Sequence, residues 1–133
     1  MRYLLDTDIC IYLIKQKPPS VTDKLTQIDN SEVALSTVSL FELKFGVENS
    51  NQYQKSQSAL NLFCSSFPII LSFDTLAASY AAKIRSALKR QGKPIGAYDL
   101  LIASIALSND LILVSNNVRE FQRVEDLKLE NWV

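Results

Sequence analysis

The chain contains 133 residues, 47% of them apolar and 21% charged, and its 14 basic and 14 acidic side chains give a formal net charge of zero. This length and composition predict one globular domain over residues 1–133. The sequence has no histidine, which excludes imidazole-based catalytic triads, and Cys10 and Cys64 lack the spacing of a zinc site or a disulfide framework.

Short apolar runs alternate along the chain with segments of helical periodicity. In chain order they predict strand 3–5, a helix stopped by Pro18 and Pro19, helix 20–28, strand 33–35, a helix reaching Gly46, helix 52–63, strand 68–71, a helix from Asp74 through Leu88, a helix from Gly96 to Leu107, strand 111–114 and strand 127–129. Ser20 is the predicted N-cap of the second helix. This alternation is typical of an α/β fold, a three-layer α/β/α sandwich with a mostly parallel sheet.

The apolar runs are much shorter than the roughly 20 residues needed to cross a bilayer. The amino-terminal sequence also lacks the long apolar region of a signal peptide. We therefore expect a cytoplasmic protein without a membrane segment.

Polar side chains follow two of the predicted strands, where ligands bind in folds of this class. Asp6 follows the first strand directly, and Thr7 or Asp8 is the expected cap of the next helix, which leaves Asp6 free for function. The run Ser115, Asn116 and Asn117 follows strand 111–114 and offers further oxygen ligands. An ordinary turn explains this run equally well.

Two further acids lie on predicted helices. Glu42 stands three residues after Ser39, the spacing of a capping box, and Asp99 lies in a first turn, where the helix dipole favours negative charge. Each acid therefore has a structural explanation beside a functional one. A cation would also remove the cost of placing Asp99 near buried surface. Oxygen ligands without histidine favour Mg²⁺ or Mn²⁺, and metal-assisted phosphodiester hydrolysis is the predicted reaction class.

A local excess of positive charge occurs between residues 83 and 93, where five basic residues are accompanied by no acid. They are Lys83, Arg85, Lys89, Arg90 and Lys93. Such a stripe can bind phosphates, and it can equally be a solvated helix face.

Four segments of the chain resemble, in the same order, the motifs of PIN-domain ribonuclease toxins of the VapC type, which belong to type II toxin–antitoxin pairs of bacteria. These are residues 3–9 (YLLDTDI), 36–46 (STVSLFELKFG), 92–103 (GKPIGAYDLLIA) and 113–121 (LVSNNVREF). The closing residues NWV are also similar. The resemblance covers the whole chain and implies a PIN-like fold.

The resemblance implies particular roles for the acidic residues. Asp6 and Asp99 are the implied principal ligands of Mg²⁺, and Glu42 is the third acid, which binds metal directly or through water. Ser115 resembles the hydroxyl residue that supports the pocket, and Asn117 occupies a position where many members have a fourth acid.

Three neighbouring positions are assigned to the pocket without a definite role. They are Thr7, Asp8 and Asn116. Asp8 replaces the Asn that the family commonly has after its Asp-Thr pair. We expect one firm metal site, with a second left open.

The implied activity is that of a magnesium-dependent endoribonuclease that cleaves RNA, often at single-stranded or loop sites, and inhibits translation. The implied protein partner is a small antitoxin of the VapB type, whose tail places a basic side chain near the carboxylates. A homodimer is also implied. The five basic residues between positions 83 and 93 become candidates for guiding the RNA backbone.

Two alternatives stay open. Asp6 and Asp8 form a DxD after a strand, which is typical of haloacid dehalogenase-like phosphatases, although Cys10 stands where that family has Thr or Val. The other alternative is a module that binds RNA or metal without catalysis.

Overall fold

Five short strands and seven α-helices make up the fold in a computed structural model that describes residues 1–133. The strands are β1 (Tyr3–Leu5), β2 (Val33–Ser36), β3 (Ile69–Leu71), β4 (Ile112–Val114) and β5 (Leu129–Glu130). The helices are α1 (Thr7–Lys15), α2 (Pro19–Thr26), α3 (Thr37–Glu48), α4 (Tyr53–Ser65), α5 (Thr75–Arg90), α6 (Ala97–Ser108) and α7 (Val118–Phe121), with a short 3₁₀ turn at Asn30–Glu32.

The strands form one sheet in the order β3-β2-β1-β4-β5, and every pairing is parallel. Tyr3 at the centre lies beside Val33 on one side and Ile112 on the other. From β1 the chain first builds the sheet toward β3 and then returns to build it toward β5. The carboxyl end of β1 is therefore the switch point where ligands bind in such sheets.

Helices cover both faces of the sheet, and the alternation of side chains along β1 divides the core in two. Leu4 packs in the cluster that includes α5 and α6, whereas Tyr3 and Leu5 pack in the cluster that includes α1, α2 and α4. All three side chains are buried. This arrangement confirms the predicted α/β sandwich, and the sheet is entirely parallel rather than mostly so.

Most predicted elements are present, with three corrections. Ser20 does not cap α2, because the helix begins at Pro19 after Pro18 as its N-cap; proline suits the first helical position, where no backbone donor is needed. The last strand is Leu129–Glu130 rather than residues 127–129, and it is only two residues long. The short helix α7 was not predicted.

None of the helices combines the length and apolar character that crossing a bilayer requires. Cys10 and Cys64 are both free thiols, and Cys10 is fully buried among apolar side chains. This supports the expectation that neither cysteine is part of a disulfide framework.

Candidate active site

Asp6 lies at the carboxyl end of β1, and both of its carboxylate oxygens accept hydrogen bonds. Its side chain is 4% exposed. Oδ1 accepts from the backbone N–H of Ile9 at 3.0 Å, so Asp6 itself is the N-cap of α1. The expectation that Thr7 or Asp8 caps this helix was therefore wrong, because the turn after β1 aims the Asp6 side chain at the first helical amides. Asp6 combines a structural role with its position at the switch point.

Ser115 holds the second oxygen of Asp6. The Ser115 hydroxyl donates to Asp6 Oδ2 at 2.5 Å and accepts from the Asn117 backbone N–H at 2.9 Å. Ser115 is completely buried directly after β4, the strand paired with β1. The bond fixes the orientation of the Asp6 carboxylate relative to the segment that carries Asn117.

Glu42 faces the start of α1. The Thr7 hydroxyl donates to Glu42 Oε1 at 2.6 Å and lies 3.0 Å from the Ser39 hydroxyl. The predicted capping box between Ser39 and Glu42 was wrong, because α3 begins earlier: Ser36 is its N-cap and accepts from the Ser39 backbone N–H at 3.0 Å. Glu42 therefore lies beyond the first turn and is free of capping.

Asp99 lies in the first turn of α6, beside a further acid that the sequence reasoning missed. Asn117 Nδ2 lies 2.5 Å from Glu120 Oε2 and 3.5 Å from Asp99 Oδ2. The 3.5 Å contact is at the weak limit of a hydrogen bond. The three-residue spacing between Asn117 and Glu120 could have pointed to Glu120, but only if the helix α7 had been predicted.

The electrostatics of the site favour a cation. Burial raises the pKa of Asp6 to about 6, against the opposing hydrogen bonds from Ser115 and Ile9, with smaller contributions from Asp8 and Asp99. Burial likewise raises the pKa of Asp99 to about 6, and Glu120, Glu42 and Asp8 raise it further, in that order. The two ion pairs of the structure, Lys24–Glu130 and Lys128–Asp110, involve none of these acids.

The donor set fits a hard divalent cation in its chemistry. No three His, Cys, Asp or Glu side chains converge closely enough to form a complete ligand group on their own. Asp6 and Asp99 nevertheless share one negative region without a basic partner. Their pKa values are raised mainly by burial and further by the neighbouring acids, so a cation would stabilise the ionised carboxylates. These two carboxylates could hold Mg²⁺ or Mn²⁺ with water completing the shell. Glu120 and Glu42 add further negative charge near Asp99.

The remaining predicted residues lie around this pocket. Asp8 is exposed and lies two residues after Asp6. Its charge raises the pKa values of Asp6 and Asp99. Asn116 is also exposed and turns toward the Tyr12 hydroxyl, with Nδ2 at 3.5 Å, and toward Asn131 rather than toward the acids. The structure thus separates Asn116 from the pocket.

The basic stripe lies on α5 and in the turn after it, and all five side chains are exposed. Arg85 and Lys89 line a cleft of about 540 Å³ that reaches Ala97, the first residue of α6. Asp99 is two residues further along the same helix. Residues two apart on a helix point to different faces, and the cleft is lined by none of the acids, so the structure does not bring the stripe into the acidic pocket.

A parallel sheet with carboxylates at its switch point, without histidine or a basic partner, is typical of α/β proteins whose site chemistry depends on carboxylates. The chain matches the PIN domain family over residues 3–127. The chain belongs to this family, which confirms the resemblance in its four motifs to VapC-type proteins. It also removes the haloacid dehalogenase-like alternative based on Asp6 and Asp8.

Relatives of the same length are VapC proteins. The chain is 41% identical to ribonuclease VapC2 of Rickettsia felis, covering 99% of this chain and 98% of the relative. It is 39% identical to the tRNA(fMet)-specific endonuclease VapC of Shigella flexneri, with the same coverage of each chain.

The fold is likewise that of solved VapC structures. A chain of the promoter-bound VapBC2 structure from Rickettsia felis superposes with a TM-score of 0.93 at 38% identity, with both chains covered completely. A chain of DNA-bound VapBC from Salmonella typhimurium gives a TM-score of 0.93 at 35% identity, covering 100% of this chain and 99% of the other.

Proposed function

We propose that the chain is a divalent-metal-dependent endoribonuclease, the toxin of a type II toxin–antitoxin pair, which inhibits translation by cutting RNA. The observation that carries this proposal is the pairing of Asp6 and Asp99 in one negative region at the switch point, without a basic partner. The VapC ribonucleases among the relatives support the same activity. Residues 1–133 act as one domain in this proposal.

In this proposal each side chain has a separate task. A bound Mg²⁺ or Mn²⁺ would supply the positive charge that lowers the pKa of the attacking water and offsets charge on the phosphodiester. Asp6 and Asp99 would hold the cation, and Ser115 fixes the Asp6 oxygen through its 2.5 Å hydrogen bond. Glu42 orients water from the α1 side, where Thr7 positions it. Asn117 positions Glu120 from the opposite side.

We propose transfer RNA as the substrate class, because the VapC relatives from Shigella flexneri and Salmonella typhimurium are both named tRNA(fMet)-specific endonucleases. Cleavage in a loop is favoured, since a loop exposes its backbone and bases whereas an A-form duplex hides its base edges. The exposed basic stripe on α5 and in the turn after it guides the RNA backbone in this proposal.

The proposed partner is a small antitoxin of the VapB type. Solved structures similar to this chain are VapBC complexes from Rickettsia felis, Salmonella typhimurium and Haemophilus influenzae. The uncompensated acids around Asp99 favour a basic side chain from the antitoxin in the pocket. Such a side chain would compete with the cation for the same carboxylates.

We also propose a homodimer that covers an exposed apolar surface beside the site. Phe41 and Tyr98 pack edge to face with ring centroids 5.6 Å apart, yet the two side chains are 51% and 48% exposed. Phe45, one helical turn after Phe41 on α3, is also more than half exposed. A second copy of the chain would bury these side chains, and Phe41→Glu would then yield a monomer in light scattering.

RNA cleavage by the purified chain tests the proposed activity. We expect cleavage of cellular RNA in Mg²⁺, none after addition of EDTA, and a loss of more than about 100-fold in Asp6→Asn and Asp99→Asn, since a lost ligand removes several kcal/mol of charge stabilisation. Asn still caps a helix, so Asp6→Asn should remain folded. Asp23→Asn, at an exposed acid on α2, is the control. Metal-dependent RNA binding without any cleavage would instead favour the non-catalytic alternative.

A further inference from the structure

A groove between α1, α3 and α4 has no role in the acidic site described above. It encloses about 880 Å³, and its floor is aliphatic, with Ile14, Leu43 and Leu60 among the lining residues. Glu42 also lines it, and the hydroxyl of Thr7, the residue after Asp6, donates to Glu42, so the groove lies next to the acidic pocket. It belongs to the helical layer on the opposite face of the sheet from the basic stripe on α5.

Three lysines line this groove, which we call the lysine groove: Lys15 at the end of α1, Lys17 just after it, and Lys55 on α4. All three are exposed. None of them pairs with a carboxylate, because both ion pairs of the structure belong to Lys24 and Lys128. A positively charged rim over an aliphatic floor suits a ligand that carries regularly spaced anions and apolar faces.

We propose that the lysine groove binds the single-stranded RNA that flanks the cleaved phosphodiester, with Lys15, Lys17 and Lys55 contacting its phosphates. This inference rests on the proposed ribonuclease function and extends it to a defined path for the substrate. RNA that reaches the carboxylates must leave the pocket across the neighbouring surface. The lysine groove offers a concave exit at Glu42 in which sugars and bases contact the aliphatic floor and phosphates contact the rim.

The salt dependence of RNA binding tests this proposal. Binding of a fluorescent single-stranded RNA of about 15 nucleotides is measured by anisotropy over a range of salt concentrations, in an Asp6→Asn background that prevents cleavage. The test variant is Lys15→Gln with Lys55→Gln. The control is Lys24→Gln with Lys128→Gln, which removes the same charge from lysines that face Glu130 and Asp110 instead.

We expect the slope of log affinity against log salt to become shallower by about 1.4 in the test variant, from about 0.7 for each lost phosphate contact. The control should keep the original slope. Equal slopes in the two variants would overturn the proposal, and this is also the result expected if the groove instead accepts an acidic segment of a partner protein.

The ratio of cleavage rates for the long RNA and a dinucleotide, measured with Asp6 intact, separates this inference from the proposed function. If the ratio of the long-RNA rate to the dinucleotide rate falls in the test variant, the result supports RNA binding in the lysine groove. Absence of cleavage in the unaltered chain would refute the ribonuclease proposal, while the binding slopes would still decide whether RNA lies in the groove.

Discussion

Asp6 and Asp99 carry similarly raised pKa values, but the fold holds the two carboxylates in different ways. Asp6 is buried at the end of a central strand and receives hydrogen bonds from Ile9 N–H and the Ser115 hydroxyl. Asp99 lies on a helix rim and has only the long contact from Asn117, while Glu120 and Glu42 repel its charge. The comparison indicates that the strand end fixes the Asp6 carboxylate through two donors, whereas the Asp99 carboxylate lacks a close donor and lies among like charges.

Removal of the Ser115 hydroxyl should free the Asp6 carboxylate from one of its two donors and reduce RNA cleavage more than the other changes described below. Ser115→Ala leaves one oxygen of Asp6 without its donor, so we expect RNA cleavage to fall about 10- to 100-fold, as for other residues that orient a metal ligand. The cleavage rate at saturating Mg²⁺ measures this loss.

The matched control is Ser104→Ala, another fully buried serine, whose hydroxyl donates to the Leu101 carbonyl within α6. This variant removes the same atoms without touching either acid. If Ser104→Ala lost as much activity as Ser115→Ala, the effect would come from packing and not from the orientation of Asp6.

The stability of the protein should depend on pH because Asp6 and Asp99 both have raised pKa values. A folded-state pKa of about 6, above the ordinary value of 3.8, means that the folded protein binds the proton more tightly than the unfolded chain. The free energy of unfolding should therefore fall as pH rises from about 4 to about 6, by about 1–3 kcal/mol for Asp6.

Urea unfolding in EDTA at several pH values across this window measures the effect. Asp6→Asn should reduce the fall in stability by removing one of the two titrating groups and leave the smaller contribution of Asp99. Mg²⁺ should restore stability at neutral pH by binding the ionised form. Stability that instead rises with pH across this window would show that the acids are stabilised as anions.

The Asn117 amide should matter least, because its contact with Asp99 is 3.5 Å long. We expect Asn117→Ala to reduce cleavage by less than about 10-fold, at the lower end of effects for residues behind a metal ligand. A loss of cleavage as large as that of Ser115→Ala would mean that the carboxylates of Asp6 and Asp99 are held equally firmly. Cleavage assays on both variants, run side by side, give this ranking.

The strand-end residues were the predictable part of the site. Asp6 and Ser115 each follow a short apolar run directly, and parallel strands bring such positions to one edge. The fold class followed from the same alternation of strands and helices. These features depend on local sequence patterns, which remain readable without knowledge of tertiary contacts.

Other features depended on contacts that no local pattern encodes. Glu120 was missed because α7 is four residues long and shows no helical period. A capping box competed with the functional role of Glu42 because Ser36 and Ser39 are both plausible caps, and only the backbone decides between them. The lysine groove joins three helices, so its charge could not be read from one segment.

Direct binding of Mn²⁺ tests most simply whether Asp6 and Asp99 form one cation site. Isothermal titration of the metal-free chain should give one Mn²⁺ per chain, and both Asp6→Asn and Asp99→Asn should abolish or strongly weaken that binding, while Asp23→Asn should not. Unchanged Mn²⁺ affinity in either Asp6→Asn or Asp99→Asn would contradict a site shared by the strand end and the helix rim.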